Sequence, residues 1–203
     1  MKNMKAYVLE AVEKLEYKEI EEPQLKKGEV LVRVEACGIC GSDIPRIFQT
    51  GTYHFPLIPG HEFAGVVEKT ADRETEEWLH KRVGIFPLIP CRECPSCQEK
   101  KYEMCRNYNY LGSRCDGGFA QYVAVPVWNL IEIPSQMDIR AAAMLEPAAV
   151  ALHAVRKLRL EKDCSVALLG VGTIGCIIMQ WLAFYGIRKA MATGHRDEFG
   201  HLM

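Results

Sequence analysis

Four cysteines, Cys91, Cys94, Cys97 and Cys105, follow one another with spacers of two, two and seven residues. Zinc takes four thiolates in a tetrahedron at about 2.3 Å. Two-residue spacers let a chain curl around one ion, and the longer spacer brings it back to close the set. Pro90 and Pro95 stiffen the turn. Four thiolates leave no open position, so the metal expected here is structural. Free cysteine is usually buried, and four of them among Arg92, Glu93, Gln98 and Lys100 make a poor core.

A second set is dispersed. Cys40 lies in Cys37-Gly38-Ile39-Cys40-Gly41-Ser42-Asp43, His61 and Glu62 follow Pro59-Gly60, and Glu146 precedes Pro147. Thiolate, imidazole and carboxylate from separate loops suit a catalytic zinc with one position left for water or substrate. Spacing alone carries this weakly, because a histidine beside a strand is more often a hydrogen-bonded structural residue. His54, His80 and His153 are read that way. A third feature is Gly170-Val171-Gly172-Thr173-Ile174-Gly175, a GxGxxG turn after an apolar run. Glycines there give a tight turn, close approach of a pyrophosphate, and helix-strand packing.

The elements that must hold these residues fall into two kinds. Lys5–Leu9, Lys14–Ile20, Glu29–Ala36, Glu62–Glu68, Arg82–Phe86, Phe119–Val125 and Leu130–Ile133 read as short strands cut by Gly and Pro, which suggests an antiparallel barrel-like domain. In Glu29–Ala36, Val30, Val32 and Val34 share one face. Ala71–His80 is a charged loop or short solvated helix. From residue 138 the pattern changes. Asp138 caps a helix through Leu145, and Pro147 suits the first turn of a second, running to about Leu158. Ser165–Leu169 is a buried strand, followed by the glycine turn, a helix to about Tyr185 stopped by Gly186, and a strand over Lys189–Thr193. The domains expected are therefore 1–150 and 151–203.

Composition narrows the function classes. Of the 203 residues, 49% are apolar and 25% charged, with a net charge of −1. With no basic stripe, a nucleic-acid partner is not expected. Residues 1–10 lack an apolar core, and no leader peptide is read there. Cys164–Ile187 is uncharged apart from its flanks, but Gly170, Gly172, Gly175 and Gly186 divide it into strand, turn and helix, so no membrane partner is expected. The location expected is cytoplasmic, where close cysteines favour metal over disulfides.

Gly38-Ile39-Cys40-Gly41-Ser42-Asp43, then Gly60-His61-Glu62, the four-cysteine lobe, Glu146-Pro147 and the glycine turn come in the order that resembles the zinc-dependent medium-chain dehydrogenases. The resemblance spans about Glu29 to Gly186. It implies a mixed α/β fold: a GroES-like antiparallel β barrel followed by the beginning of a parallel α/β Rossmann domain. It implies two zinc ions, one structural on Cys91, Cys94, Cys97 and Cys105, and one catalytic on Cys40 and His61 with Glu62 and Glu146. Asp43 is similar to the residue that orients the zinc-bound histidine, and Ser42 to the first hydroxyl of a proton relay. The implied reaction oxidises a secondary hydroxyl to a ketone, with the hydride passing to NAD. Ser42–Phe48 and Gly112–Ala120 resemble a branch that uses sugar-alcohol phosphates of the galactitol 1-phosphate type. Sorbitol-type members usually have a His-containing stretch where this chain has Pro45-Arg46. Arg46 and Arg114, in those segments, are candidates for the substrate phosphate.

Two features depart from the family pattern. An acid about 20 residues past the turn should hold the ribose of NAD. That place falls at Thr193-Gly194-His195-Arg196, with no acid before Asp197, so Arg196 is a candidate for a 2′-phosphate and NADP is possible. A doubly wound domain needs roughly six strands, and one βαβ unit takes about 30 residues. Only 164–203 remain, so the chain resembles a C-terminally truncated member whose own turnover is doubtful. Full-length members are expected to be homo-oligomers. The alternatives are a zinc-holding remnant without turnover, a thiol redox sensor on Cys91–Cys105, or a dehydrogenase of unphosphorylated polyols or other secondary alcohols.

Overall fold

The computed structural model describes residues 2–161 and 163–194. It divides into two compact units, 1–145 and 146–203. The boundary lies at the head of a helix, beside an expected limit at residue 150.

The first unit begins with a hairpin, β1 (Asn3–Ala11) and β2 (Lys14–Glu21), turned by Glu13 at φ 61°. β3 (Glu29–Gly38), β4 (Glu62–Thr70), β5 (Arg82–Ile85), β8 (Tyr122–Pro126) and β9 (Leu130–Glu132) form an antiparallel sheet in the order β8-β3-β4-β5-β9. Register shifts at Leu31/Val32 and Val34/Ala36 of β3 mark β-bulges, which bend and twist a strand. Bridges Ala6↔Ala120 and Leu9↔Leu57 join the hairpin to flanking segments. Val30, Val32, Phe63, Val67, Val83, Ile85, Val123 and Val125 fill the core. Leu31, on the other face of β3, is buried as well, so this central strand is apolar on both sides.

Shorter elements of this unit connect the strands and bear on the site. α1 (Asp43–Phe48) follows β3. β6 (Leu88–Ile89) and β7 (Asn109–Tyr110) pair at the root of a lobe containing α2 (Pro95–Gln98). The stretch read as loop or short helix contains a 3-10 helix, Arg73–Trp78, with Asp72 and Thr75 in a reciprocal cap. The strand expected from Phe119 starts at Tyr122, because Phe119 and Gln121 bond to Tyr7 and Lys5 of β1 instead. α3 (Ile139–Ala143) starts where Asp138 accepts the Arg140 N–H, as the cap predicts.

In the second unit, α4 (Leu145–Lys157) precedes β10 (Ser165–Leu169), α5 (Thr173–Phe184) and β11 (Lys189–Thr193). β10 and β11 are parallel, Ser165↔Lys189 through Leu169↔Thr193, which makes a βαβ unit. Val155, Leu182 and Ile187 are buried, with Val166, Ile178 and Ala190 against them. β10 is not the buried strand expected of it. Ser165, Ala167 and Leu169 face away from that cluster, and Leu169 is 83% exposed. Among the described residues this sheet has two strands and one apolar cluster, so one face alone is covered. No helix among the described residues is long and apolar enough to cross a membrane.

Candidate metal centres and nucleotide turn

The lobe is built by its cysteines. In 91–105 only Cys97 and Cys105 are buried. Arg92 and Lys100 take positive φ, 65° and 60°, folding the chain back on itself. The sulfurs stand 3.4 Å (Cys91–Cys105), 3.9 Å (Cys94–Cys105) and 4.0 Å (Cys91–Cys97) apart. A disulfide needs about 2.05 Å. A tetrahedron with metal–sulfur bonds of about 2.3 Å has edges of about 3.8 Å. All four sulfurs lie within 4.8 Å of one another, so they fit one thiophilic metal. Backbone N–H groups of Arg106 and Cys97 hold Cys94 down to about 6, favouring thiolate, whereas burial pushes Cys97 up to about 12. The lobe docks through Trp128: the Arg92 guanidinium lies 5.2 Å from its ring and Tyr102 meets it edge-on at 5.1 Å. Composition gave no sign of that post.

The second set forms where β3 ends and β4 begins. Pairing Gly38↔Glu62 and Cys37↔Phe63 brings the Cys40 loop alongside His61 and Glu62. One ligand atom from each of Cys40, His61 and Glu62 then lies within 4.8 Å of the others. A Cβ on Gly38 would stand 2.5 Å from Glu62 Oε2, so the carboxylate rests on bare backbone. His61 and Glu62 are buried and Cys40 half-buried. Burial raises the Cys40 thiol above its usual range, and the Ser42 side chain and N–H, 3.5 Å from Sγ, oppose this. Sulfur, nitrogen and oxygen donors, two of them on buried residues and one on a half-buried residue, fit a divalent metal.

Asp43, fully buried at the start of α1, faces this trio. Its Oδ2 accepts the Cys40 N–H at 3.0 Å. Its Oδ1 stands 3.6 Å from His61 Nδ1, beyond hydrogen-bond length, and that buried nitrogen has no hydrogen bond among the described residues. Oδ1 instead accepts Arg46 Nη1 at 2.6 Å. Tyr110 meets the His61 ring edge-on at 5.8 Å. Tyr108 flanks Tyr110, and the Arg114 guanidinium lies between Tyr108 and Tyr53, 4.2 Å and 4.1 Å from their centroids. Nothing in the spacing of these aromatic neighbours sets them apart from core residues. Ser42 is exposed beside Cys40. His54 bonds the carbonyls of Pro56 and Arg114, as a structural histidine would. Glu146 stands in the first turn of α4, in the second unit.

Gly60, just ahead of His61, has φ 92°. A Cβ there would stand 2.5 Å from the Phe119 ring and 2.9 Å from Cys37 Sγ. Gly60→Ala is therefore expected to cost about 1–3 kcal/mol and to displace His61. Elemental analysis should then show metal lost from the Cys40 site and kept in the lobe. Parent-like content at both sites would contradict this.

In the second unit the GxGxxG turn joins β10 to α5. Gly170 takes φ 97°, and its N–H donates to the Thr193 carbonyl at the end of β11. A Cβ on Gly175 would lie 2.2 Å from the Gly170 oxygen, whereas one on Gly172 would meet nothing. Thr173 and Ile174 open α5, whose N-terminal N–H groups suit an anion. Thr193 closes β11, where the ribose-binding side chain was expected. His195, Arg196 and Asp197 lie outside the described residues.

Residues 26–135 match the alcohol dehydrogenase GroES-like domain. The chain is 36% identical over 177 residues to galactitol 1-phosphate 5-dehydrogenase of Escherichia coli strain K12, covering 87% of this chain and 51% of that one. It is 29% identical over 196 residues to sorbitol dehydrogenase of Bacillus subtilis strain 168, covering 94% and 56%. A cobalt- and zinc-bound thermostable alcohol dehydrogenase from Pyrobaculum aerophilum superposes with a TM-score of 0.85 at 27% identity, over 96% of this chain and 60% of that one. The chain thus spans about half the length of the curated relatives it matches.

Proposed function

We infer, from the premise that this chain belongs to the alcohol dehydrogenase GroES-like domain family, that it is part of a zinc-dependent alcohol dehydrogenase that oxidises a secondary hydroxyl of a sugar-alcohol phosphate with NAD or NADP. The observation that carries the reading is the convergence of Cys40, His61 and Glu62 at the β3–β4 junction, separate from a closed four-thiol lobe. Cys40, His61 and Glu62 would hold a zinc ion, which would supply the Lewis acidity that lowers the pKa of an alcohol. Glu146 is proposed as a further carboxylate on the sequence resemblance alone. Ser42, exposed next to Cys40, is suited to accept the alcohol proton and pass it outward. The turn Gly170–Gly175 is proposed to take the pyrophosphate of the dinucleotide.

For the phosphate of the substrate, Arg114 is the stronger of the two arginines. Its charge is held between Tyr53 and Tyr108, and ring contacts lead from Tyr108 through Tyr110 to His61. Arg46 already serves Asp43. The substrate assignment is tested by following nicotinamide absorbance with hexitol phosphates, free hexitols and simple secondary alcohols as separate substrates. Turnover that prefers the phosphorylated compound supports the reading, and Arg114→Ala should raise KM for it more than for the free polyol. Preference for a free polyol such as sorbitol moves the substrate class. Two bound metals without any turnover leave a metal-binding protein.

A further inference from the structure

We propose that Arg46 is the positioning residue of the Cys40–His61–Glu62 site: it holds the Asp43 carboxylate so that this one side chain anchors the thiol loop and faces the imidazole. The inference rests on the reading that the trio binds a divalent metal. Asp43 is fully buried, and a buried carboxylate needs a partner for its charge. Among the described residues its ion-pair partner is Arg46, and the His61 ring lies 3.6 Å away.

The geometry divides the labour. Asp43 Oδ2 takes the backbone N–H of Cys40 at 3.0 Å, which anchors the loop that presents the thiol. Oδ1 faces His61 Nδ1 at 3.6 Å but is bonded to Arg46 Nη1 at 2.6 Å. The arginine therefore draws the carboxylate toward itself and sets the gap to the ring. Asp43 opens α1 and Arg46 stands at i+3, the spacing that puts both on one helix face. The Arg46 side chain is only 19% exposed, so this pair is poorly screened by solvent. Were Arg46 to leave for a substrate phosphate, it would strand a buried carboxylate beside two metal donors. Such a group would turn toward the imidazole, release the Cys40 N–H, or draw in water. Each of these moves a donor atom.

The test uses the 203-residue chain with the four-thiol lobe first filled by one equivalent of Zn²⁺. Co²⁺ is then titrated, and its d–d and sulfur charge-transfer bands are followed for the parent, Arg46→Gln and Arg46→Lys. Outer partners of metal ligands are typically worth about 10–100-fold in metal affinity. Arg46→Gln should weaken Co²⁺ binding by roughly tenfold or more and shift the d–d bands, with the circular dichroism of the zinc-loaded fold unchanged. Arg46→Lys, which keeps a cation at that place, should recover much of the affinity, and it serves as the variant if the glutamine protein does not fold. Parent-like affinity and bands in both variants would overturn the inference. So would unchanged metal binding with weakened binding of inorganic phosphate, which would make Arg46 a substrate contact. A parent that takes up no Co²⁺ beyond the lobe would overturn the metal site itself, and the role of Arg46 with it.

Discussion

Cys94→Ser is expected to release one metal ion and destabilise the first unit by more than about 4 kcal/mol, whereas Cys40→Ser should release one metal ion and leave the melting temperature close to the parent's. The lobe has almost nothing else to fold with. In 91–105 the only buried residues are Cys97 and Cys105, and the regular structure is a four-residue helix and one 3-10 turn. Positive φ at Arg92 and Lys100 must also be offset. A metal on four thiolates supplies what a core this small cannot. Serine in place of Cys94 removes the sulfur whose surroundings most favour thiolate. Cys40, by contrast, sits outside the core of Val30, Phe63, Val83 and Val125. Thermal unfolding with elemental analysis separates the two variants. Trp128 offers a local signal, because Arg92 and Tyr102 lean on its ring and would leave it when the lobe opens. Equal loss of stability in both variants would contradict the division. Disulfides in the lobe in place of bound zinc would favour the redox alternative.

The two candidate metal sites differ in how far sequence alone reaches them. The lobe is local: its four ligands fall within fifteen positions, and spacers of two residues dictate how the chain curls. The trio depends on register. Cys40 and His61 meet because Gly38 pairs with Glu62 across β3 and β4, and a slip of one residue would turn Glu62 to the opposite face. No local pattern fixes that pairing, so resemblance, not spacing, ties Cys40, His61 and Glu62 together. Resemblance likewise points Arg46 toward the substrate. Without α1 in view, with Pro45 inside it, the i+3 relation to Asp43 carries no signal. β6 and β7 escaped because two-residue strands have no periodicity to read. The alternating strands and the Asp138 cap were legible, since each is set by neighbouring residues. Leu169 shows the limit of the apolar run as a guide. It belongs to such a run, yet whether it is covered depends on which elements lie against that face of β10.

Within the nucleotide turn, two glycines should fail in opposite ways. Gly175→Val is expected to destabilise the second unit by about 3 kcal/mol and abolish dinucleotide binding with it. Gly175 is buried on the first turn of α5, and any Cβ there would lie 2.2 Å from the Gly170 carbonyl oxygen. Backbone cannot yield as a flexible side chain would, so β10 and α5 must move apart. That separation undoes the packing of Val155, Leu182 and Ile187. Trp181 reports it, since its indole N–H donates to the Ala148 carbonyl at 3.1 Å. Gly172→Ala is a different case. Gly172 caps α5 at φ −64°, which any residue adopts, and a Cβ there meets nothing within 4 Å. Its cost to folding should stay below about 1 kcal/mol. On the proposed nucleotide reading, the methyl would occupy the space through which a pyrophosphate approaches the N–H groups of α5. Affinity for NAD(H) or NADP(H) should therefore fall at least roughly tenfold, about 1.4 kcal/mol, without a matching change in melting. Cofactor titration by fluorescence, beside thermal unfolding followed at Trp181, measures both quantities on the same samples. If Gly172→Ala binds dinucleotide as tightly as the parent, the open space is not a pyrophosphate site. If it loses stability as Gly175→Val does, the two glycines serve only the turn.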